Sequence, residues 1–219
     1  MSTRYVVKQG DHLTRIARAH GFDDFRIVWN DAENAELRQL RGNPNVLFPG
    51  DVVFVPDKEA KKESGSTNQR HRFVVNAQSL KLRVRWLDLS SKPLRDASVI
   101  LSLDGTETRH VTNGEGQIEQ PINQSADEGT IQFESDDLPF DKVIPIEVHV
   151  GHLDPVETES GQRARLDALG YDAGDPQQAG DKNLAFRSAA EEFQCDNGLT
   201  VDGKVGSKTR AKLKEVYGC

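Results

Sequence analysis

Cysteine is almost missing from this chain of 219 residues: there are 2, Cys195 and Cys219, both near one end. No disulfide framework can therefore hold the whole fold, and packing must do so. No apolar run approaches the about 18 uninterrupted residues of a membrane-spanning helix, and the charged residues, 29% of the total, are spread throughout, so membrane insertion is not expected. Basic residues are outnumbered, 28 against 35, for a net charge of -7. Such a chain repels a phosphate backbone instead of releasing its counterions, and no nucleic-acid partner is expected. HExxH, GxSxG and CxxC are all lacking. Behind the first basic residue, Arg4, strand-like alternation begins at once with no apolar core of a leader, so no Sec signal is expected and synthesis is expected to be cytoplasmic. What is present is an ordinary folded composition, 36% hydrophobic with 18 glycines.

A polar stretch from Asp57 to Arg72, DKEAKKESGSTNQRHR, divides the chain. It predicts a module over 1–57, a linker over 58–72, a second module over 73–150 and a third over 151–219. The middle segment is the acidic one, with 7 basic and 13 acidic residues. In the first, Tyr5-Val6-Val7 predicts a strand and Asp11 a helix cap. Leu13, Ile16, Ala17 and His20 then follow helical spacing as far as Gly21, and Phe25, Val28, Trp29 and Ala32 predict a second helix capped by Asp23 or Asp24. Val52 to Val55 is the closing strand, giving the order strand, helix, helix, strand. In the middle segment Leu80, Leu82, Val84 and Trp86 alternate with Lys81, Arg83 and Arg85, and Val99-Leu101-Leu103 and Ile144-Ile146-Val148-Val150 repeat the pattern. With Asp104-Gly105 and Asn113 to Gly116 as turns, this predicts a small antiparallel β-sandwich. The third segment returns to helical spacing: Arg163 to Leu169, then Phe186, Ala189, Ala190 and Phe193, then a final helix capped by Ser207 with Leu213 and Val216 inward. The whole is a multidomain α+β chain.

Three stretches resemble known families. Tyr5 to Ala17 with Gly10-Asp11, then Trp29-Asn30, Asn43-Pro44-Asn45-Val46-Leu47-Phe48-Pro49-Gly50-Asp51 and Val55-Pro56, is similar to the LysM family. The resemblance implies a βααβ module that binds N-acetylglucosamine glycans such as peptidoglycan or chitin between two loops. One wall would be Gly10, Asp11, His12 and Leu13, the other Asn45, Val46, Leu47, Phe48 and Pro49. His12 stands where the family usually has Thr or Ser, and Asn30 to Asn43 is longer than in a minimal repeat. Arg165 to Tyr171, Ala189 to Gln194, Gly198 to Thr209 and Leu213 resemble the peptidoglycan-binding domain 1 family, which implies a three-helix bundle and a second wall site at Asp202, Gly203, Gly206 and Thr209. For both loops the plainer role, turn and helix start, stands beside the binding one. Val84 to Asp88, Lys92 to Val99, Thr112 to Ile118 and Val150 to Pro155 resemble the sandwich domains beside type VI secretion spike proteins.

An acetamido sugar offers one N–H, one C=O and a methyl, which suits loop backbone next to a small apolar surface and needs no charged side chain. The remaining candidates point away from catalysis. His149 and His152 invite a metal, but on a continuous strand residues three apart face opposite sides, so interface histidines are expected. Cys195 lacks any nucleophile context, although Cys195 and Cys219 could form a disulfide in an oxidising compartment. Trp29 and Trp86 each lie in an apolar stripe and are expected in cores. The sequence thus predicts a non-enzymatic, cofactor-free peptidoglycan-binding protein, accessory to contractile secretion, with a spike or effector protein as a further partner and delivery to the periplasm or outside. A structural adaptor and a muralytic enzyme are the alternatives.

Overall fold

The computed structural model describes residues 2–58, 64–72, 80–88, 90, 92–134, 145–175 and 182–219. Three separate hydrophobic cores lie along the chain.

Around the first core, β1 (Thr3–Val6) pairs antiparallel with β2 (Val52–Val55), with Tyr5 opposite Val53. Between them run α1 (Leu13–Ala19), α2 (Phe25–Trp29), a 3-10 turn (Ala32–Asn34) and α3 (Ala35–Arg41). Leu13, Ile16, Ala17, Val28, Leu37, Leu47 and Val53 fill the interior, with Trp29 half-buried against them. Two corrections to the sequence reading follow. α2 stops at Trp29, leaving Ala32 exposed, and the long Asn30–Asn43 stretch folds as a third helix. The reason is polar. Asp31 Oδ1 accepts from Glu33 N at 2.9 Å and starts the tight turn, while Asn34, 1% exposed, donates to Val28 O and Phe54 O at 2.7 Å each. Asn34 Oδ1 also accepts from Phe54 N at 2.8 Å, so one side chain fastens the insertion to both α2 and β2. Gly42, at φ 69°, then ends α3 in the left-handed conformation that only glycine adopts freely.

The α1 cap is His12, not Asp11. His12 Nδ1 accepts from Arg15 N at 3.3 Å, while Asp11 Oδ2 accepts from Lys8 N and from the Tyr5 hydroxyl, both at 2.8 Å, bracing the β1–α1 loop. Of the expected α2 caps, Asp24 serves.

The second core lies between two antiparallel sheets. β3 (Leu80–Arg85) pairs with β6 (Gln117–Ile122). β4 (Ser98–Leu103), β5 (Thr106–Val111), β7 (Glu128–Phe133) and β8 (Ile146–His149) form the other sheet in the order β5-β4-β7-β8. Val99, Leu101, Leu103, Ile118 and Ile131 are buried, and Trp86 meets Phe133 edge-on with ring centroids 5.3 Å apart. Asp104 and Gly105, at φ 49° and 75°, make the tight β4–β5 hairpin expected of that dipeptide. Ile144 and Phe73 lie outside the described residues, and Ile146 is exposed.

The third core gathers Val156, Leu166, Ala173, Ala189, Phe193 and Leu213. They come from α4 (Glu159–Ala168), α5 (Lys182–Asp196), α6 (Ser207–Tyr217) and the segments flanking α4. Thr158 caps α4 by accepting from Gly161 N at 3.0 Å. Gly206, not Ser207, occupies the cap position of α6, and Val216 is exposed, not inward. Arg165, 1% exposed, donates to the carbonyls of Asp154 (2.8 Å), Gly161 (2.7 Å) and Cys219 (3.0 Å) and stacks on Tyr217. Cys195 and Cys219 are both free thiols. Cys195 sits on the solvent face of α5, whereas Cys219 is anchored beside Arg165, which donates to its carbonyl.

Asn34→Ala strands one backbone donor and two carbonyls in the first core. A loss of roughly 2–4 kcal/mol is expected, at about 1–3 kcal/mol per unsatisfied buried group with partial relief by water. Urea unfolding at neutral pH measures it.

Candidate functional site

The two loops of the first module meet. Leu13 N donates to Pro44 O at 3.1 Å, joining the start of α1 to the segment before β2, and Gly50 N donates to Val7 O at 2.9 Å. Asn45 is exposed, Asp11, Phe48 and Pro49 are half-buried, and Gly10, His12, Leu13, Val46 and Leu47 are buried. Leu13 and Leu47 belong to the core, so these two can meet a ligand only through their backbone. The second wall is rigid. Arg41 grips Asp51 with two hydrogen bonds of 2.7 Å in a largely buried pair, Asp51 Oδ2 accepts from Phe48 N at 2.9 Å, and the guanidinium lies over the Phe48 ring. The Asp51 contacts hold the Arg41 pKa above its ordinary value, and Asp154 and Glu157 of the third segment add to that field.

The first wall does not face open water. Gln9 Nε2 donates to His152 O at 3.2 Å, and Arg15 reaches across to Ser125 O (3.1 Å), Ala126 O (3.0 Å) and Asp127 Oδ1 (3.4 Å). The backbone of Gln124 lies against the His12 ring. Burial, followed by the neighbouring Arg15 charge, pushes the His12 pKa down to about 4.

His149 and His152 also correct the sequence reading. β8 ends at His149, and Gly151, at φ 81°, turns the chain back so that the two rings lie 5.5 Å apart instead of on opposite faces. Their neighbours are acidic: Glu128 and Glu147 beside His149, Asp127 beside His152. No group of three or more His, Cys, Asp or Glu side chains arranged for a metal occurs among the described residues.

In the third module the candidate residues converge on one side chain that the sequence reading used only as a matching position. Gln194, 1% exposed on α5, accepts through Oε1 from Asp202 N and Gly203 N at 3.0 Å each. Its Nε2 donates to Asp202 Oδ1, Lys204 O and Thr209 Oγ1 within 3.1 Å. Asp202, Gly203 and Thr209 are thus brought together, with Asp202 exposed and Thr209 buried, while Gly206 stays exposed at the start of α6. The Asp202 pKa is lowered, first by the Lys204 backbone N–H and then by Gln194. Tyr171, half-buried against Phe193 and hydrogen-bonded to Asp196, is pushed up to about 12, chiefly by the burial it has. A buried Gln among apolar neighbours beside an Asp-Gly turn was the signal available for this bracket. A cleft of about 300 Å3 between β5 and β6, with Leu101 and Ile122 inside and Thr106, Thr108 and Gln120 around it, carried no sequence signal.

Residues 163–213 match the model of a putative peptidoglycan binding domain. No curated protein and no solved structure matches the chain. The matched span holds Arg165, Gln194, Asp202, Gly203, Gly206 and Thr209.

Two outcomes are expected. Gln194→Leu keeps the volume but orphans five partners around the 202–209 turn, and a loss of about 3 kcal/mol is expected in thermal or urea unfolding, small only if water replaces the amide. For His12 the folded pKa of about 4 lies below the unfolded 6.5, so the unfolded chain takes up a proton that the folded one refuses. Its stabilisation is complete above pH 6.5 and is lost as pH falls towards 4, by about 2–3 kcal/mol at pH 4.5. Urea unfolding at pH 7 and pH 4.5 should show that part of the loss in the native chain and not in His12→Gln.

Proposed function

We propose that this protein binds peptidoglycan by attachment, without cleaving it. The observation that carries the reading is the family match over 163–213, which falls on a folded helical module whose exposed turn is bracketed by Gln194. Rigid backbone suits recognition of amide-bearing saccharides and stem peptides, because donors and acceptors are aimed before the ligand arrives and little ordering entropy is lost on binding. The non-catalytic part is supported by the chemistry of the perturbed groups. The displaced pKa values of His12, Tyr171 and Arg165 come chiefly from burial inside the packing, and that of Asp202 from hydrogen bonds that shape a turn. None of them sits in a cleft beside a second displaced acid or base of the kind hydrolysis needs.

The first module, in this reading, is a second glycan site of the LysM kind, with its trough between Gly10–Leu13 and Asn45–Pro49. The joined loops and the uncharged lining of the Asn45–Pro49 wall support it. The resemblance of the sandwich to domains beside type VI secretion spikes supports an accessory role in contractile delivery to the periplasm or beyond, with a spike or effector protein as partner.

Full-length protein mixed with purified sacculi should sediment with them and release no soluble muropeptides on prolonged incubation. Protein left in the supernatant overturns wall binding. Muropeptides detected by chromatography overturn the non-catalytic reading.

A further inference from the structure

The first module meets the sandwich and the Gly151-His152 turn that follows β8 at the loop that the saccharide reading needs. A methyl group placed on Gly151 would lie 2.6 Å from Gly10 O and 3.3 Å from the His12 ring, so the two backbones touch with no room for a side chain. A methyl on Gly10 would meet His152 Nε2 at 2.9 Å. A pyranose ring is several ångströms thick and cannot enter this contact. Four links hold it: Gln9 to the His152 carbonyl, Arg15 to the carbonyls of Ser125 and Ala126, Arg15 to Asp127, and Arg18 to Gln124 at 3.2 Å.

These links are all polar and partly wet. The Arg15 side chain is 26% exposed, Asp127 is 52% and His152 is 33%. Hydrogen bonds and ion pairs of this kind each contribute little against competition from water. The contact is therefore unlike the interior of either module, where apolar side chains interdigitate, and it is the surface along which the two can part. By sequence the polar 58–72 stretch joins them, and a chain of that length can span up to roughly 50 Å, enough to let the modules separate while still linked.

We infer that the sandwich is a cover for the first saccharide trough: the Gly151-His152 turn and the Ser125–Asp127 loop close the Gly10–Leu13 wall, and glycan enters only when that contact opens. This rests on reading the two loops as a saccharide site. A covered site binds with its intrinsic affinity reduced by the fraction of molecules that are open, so weakening the cover tightens binding without altering the trough. Neither Arg18 nor Asp127 belongs to the trough walls, whereas Arg15 also donates to Gly10 O at 3.0 Å and is left in place. Asp127→Lys places like charge against Arg15, and Arg18→Ala removes the Gln124 link from the other side, which guards against local disturbance of the sandwich loop in the first variant.

The test uses the full chain, a hexamer of N-acetylglucosamine as probe in calorimetry, and hydrogen–deuterium exchange over the peptide spanning Gly10–Leu13. Both variants should exchange faster there and bind the hexamer about tenfold more tightly than the native chain. Unchanged exchange in both overturns the cover, since its links then do not hold the contact. Faster exchange with equal affinity in all three proteins also overturns it, and leaves the saccharide reading standing. Faster exchange with no hexamer bound by any of the three overturns the saccharide reading of the first module, and the cover with it.

Discussion

A side-chain amide or guanidinium taken out of water must find a partner for each donor and acceptor, and that constraint decides where the loops of this chain lie. Asn34 satisfies it by fastening the long insertion of the first module to α2 and β2. Gln194 satisfies it with the 202–209 turn. Arg165 does so by collecting carbonyls from before α4, from within it and from the end of the chain, although burial still lowers its pKa. Each core is small, and small cores supply only a few kcal/mol. Apolar packing therefore brings the helices together, while the polar brackets choose among the loop conformations that such packing would accept. The loops so chosen are the ones that carry the candidate binding surfaces.

Periodicity made most of the interior legible. Leu13, Ile16 and Ala17, the alternation from Leu80 to Trp86, and Ala189, Ala190 and Phe193 all point inward as their spacing requires. The misreadings arise where hydrogen-bond partners or backbone turns override local spacing. Ala32 continues the spacing of Phe25 and Val28, yet α2 ends before it because Asn34 finds its partners in β2. Asp11 has the chemistry of a cap, yet the Tyr5 hydroxyl and Lys8 N–H claim it, and His12 takes the position. His149 and His152 face one another because a glycine ends the strand between them, which no alternation rule registers. Gln194 was visible as a residue but not as a hub, since its five partners lie 8 to 15 positions away along the chain.

Least legible was the relation between modules. Arg15 lies on the solvent side of α1 by spacing, where a long cation is normally a solvated surface group. In the folded chain it spans two modules and holds the carbonyls of Ser125 and Ala126. The acidic balance of the middle segment acts locally here: Asp127 meets Arg15 and His152, while Glu128 and Glu147 meet His149. A uniform negative surface would have predicted none of this.

In the proposed reading both end modules bind wall, and occupancy of one would hold the other at an effective concentration of order millimolar. A cover over one of them changes the order of events. On the proposed reading the third module, whose 202–209 turn is largely exposed, would meet the wall first. The first module must then break polar links of modest strength before it contributes, and a dense array of glycan strands around an already tethered molecule is the condition under which that exchange becomes favourable. Stray soluble fragments, at low concentration and with no tether, do not meet it. If the first module is the glycan site proposed, the acidic sandwich does more than space the two end modules: by occupying the Gly10 wall it would make attachment depend on the intact polymer.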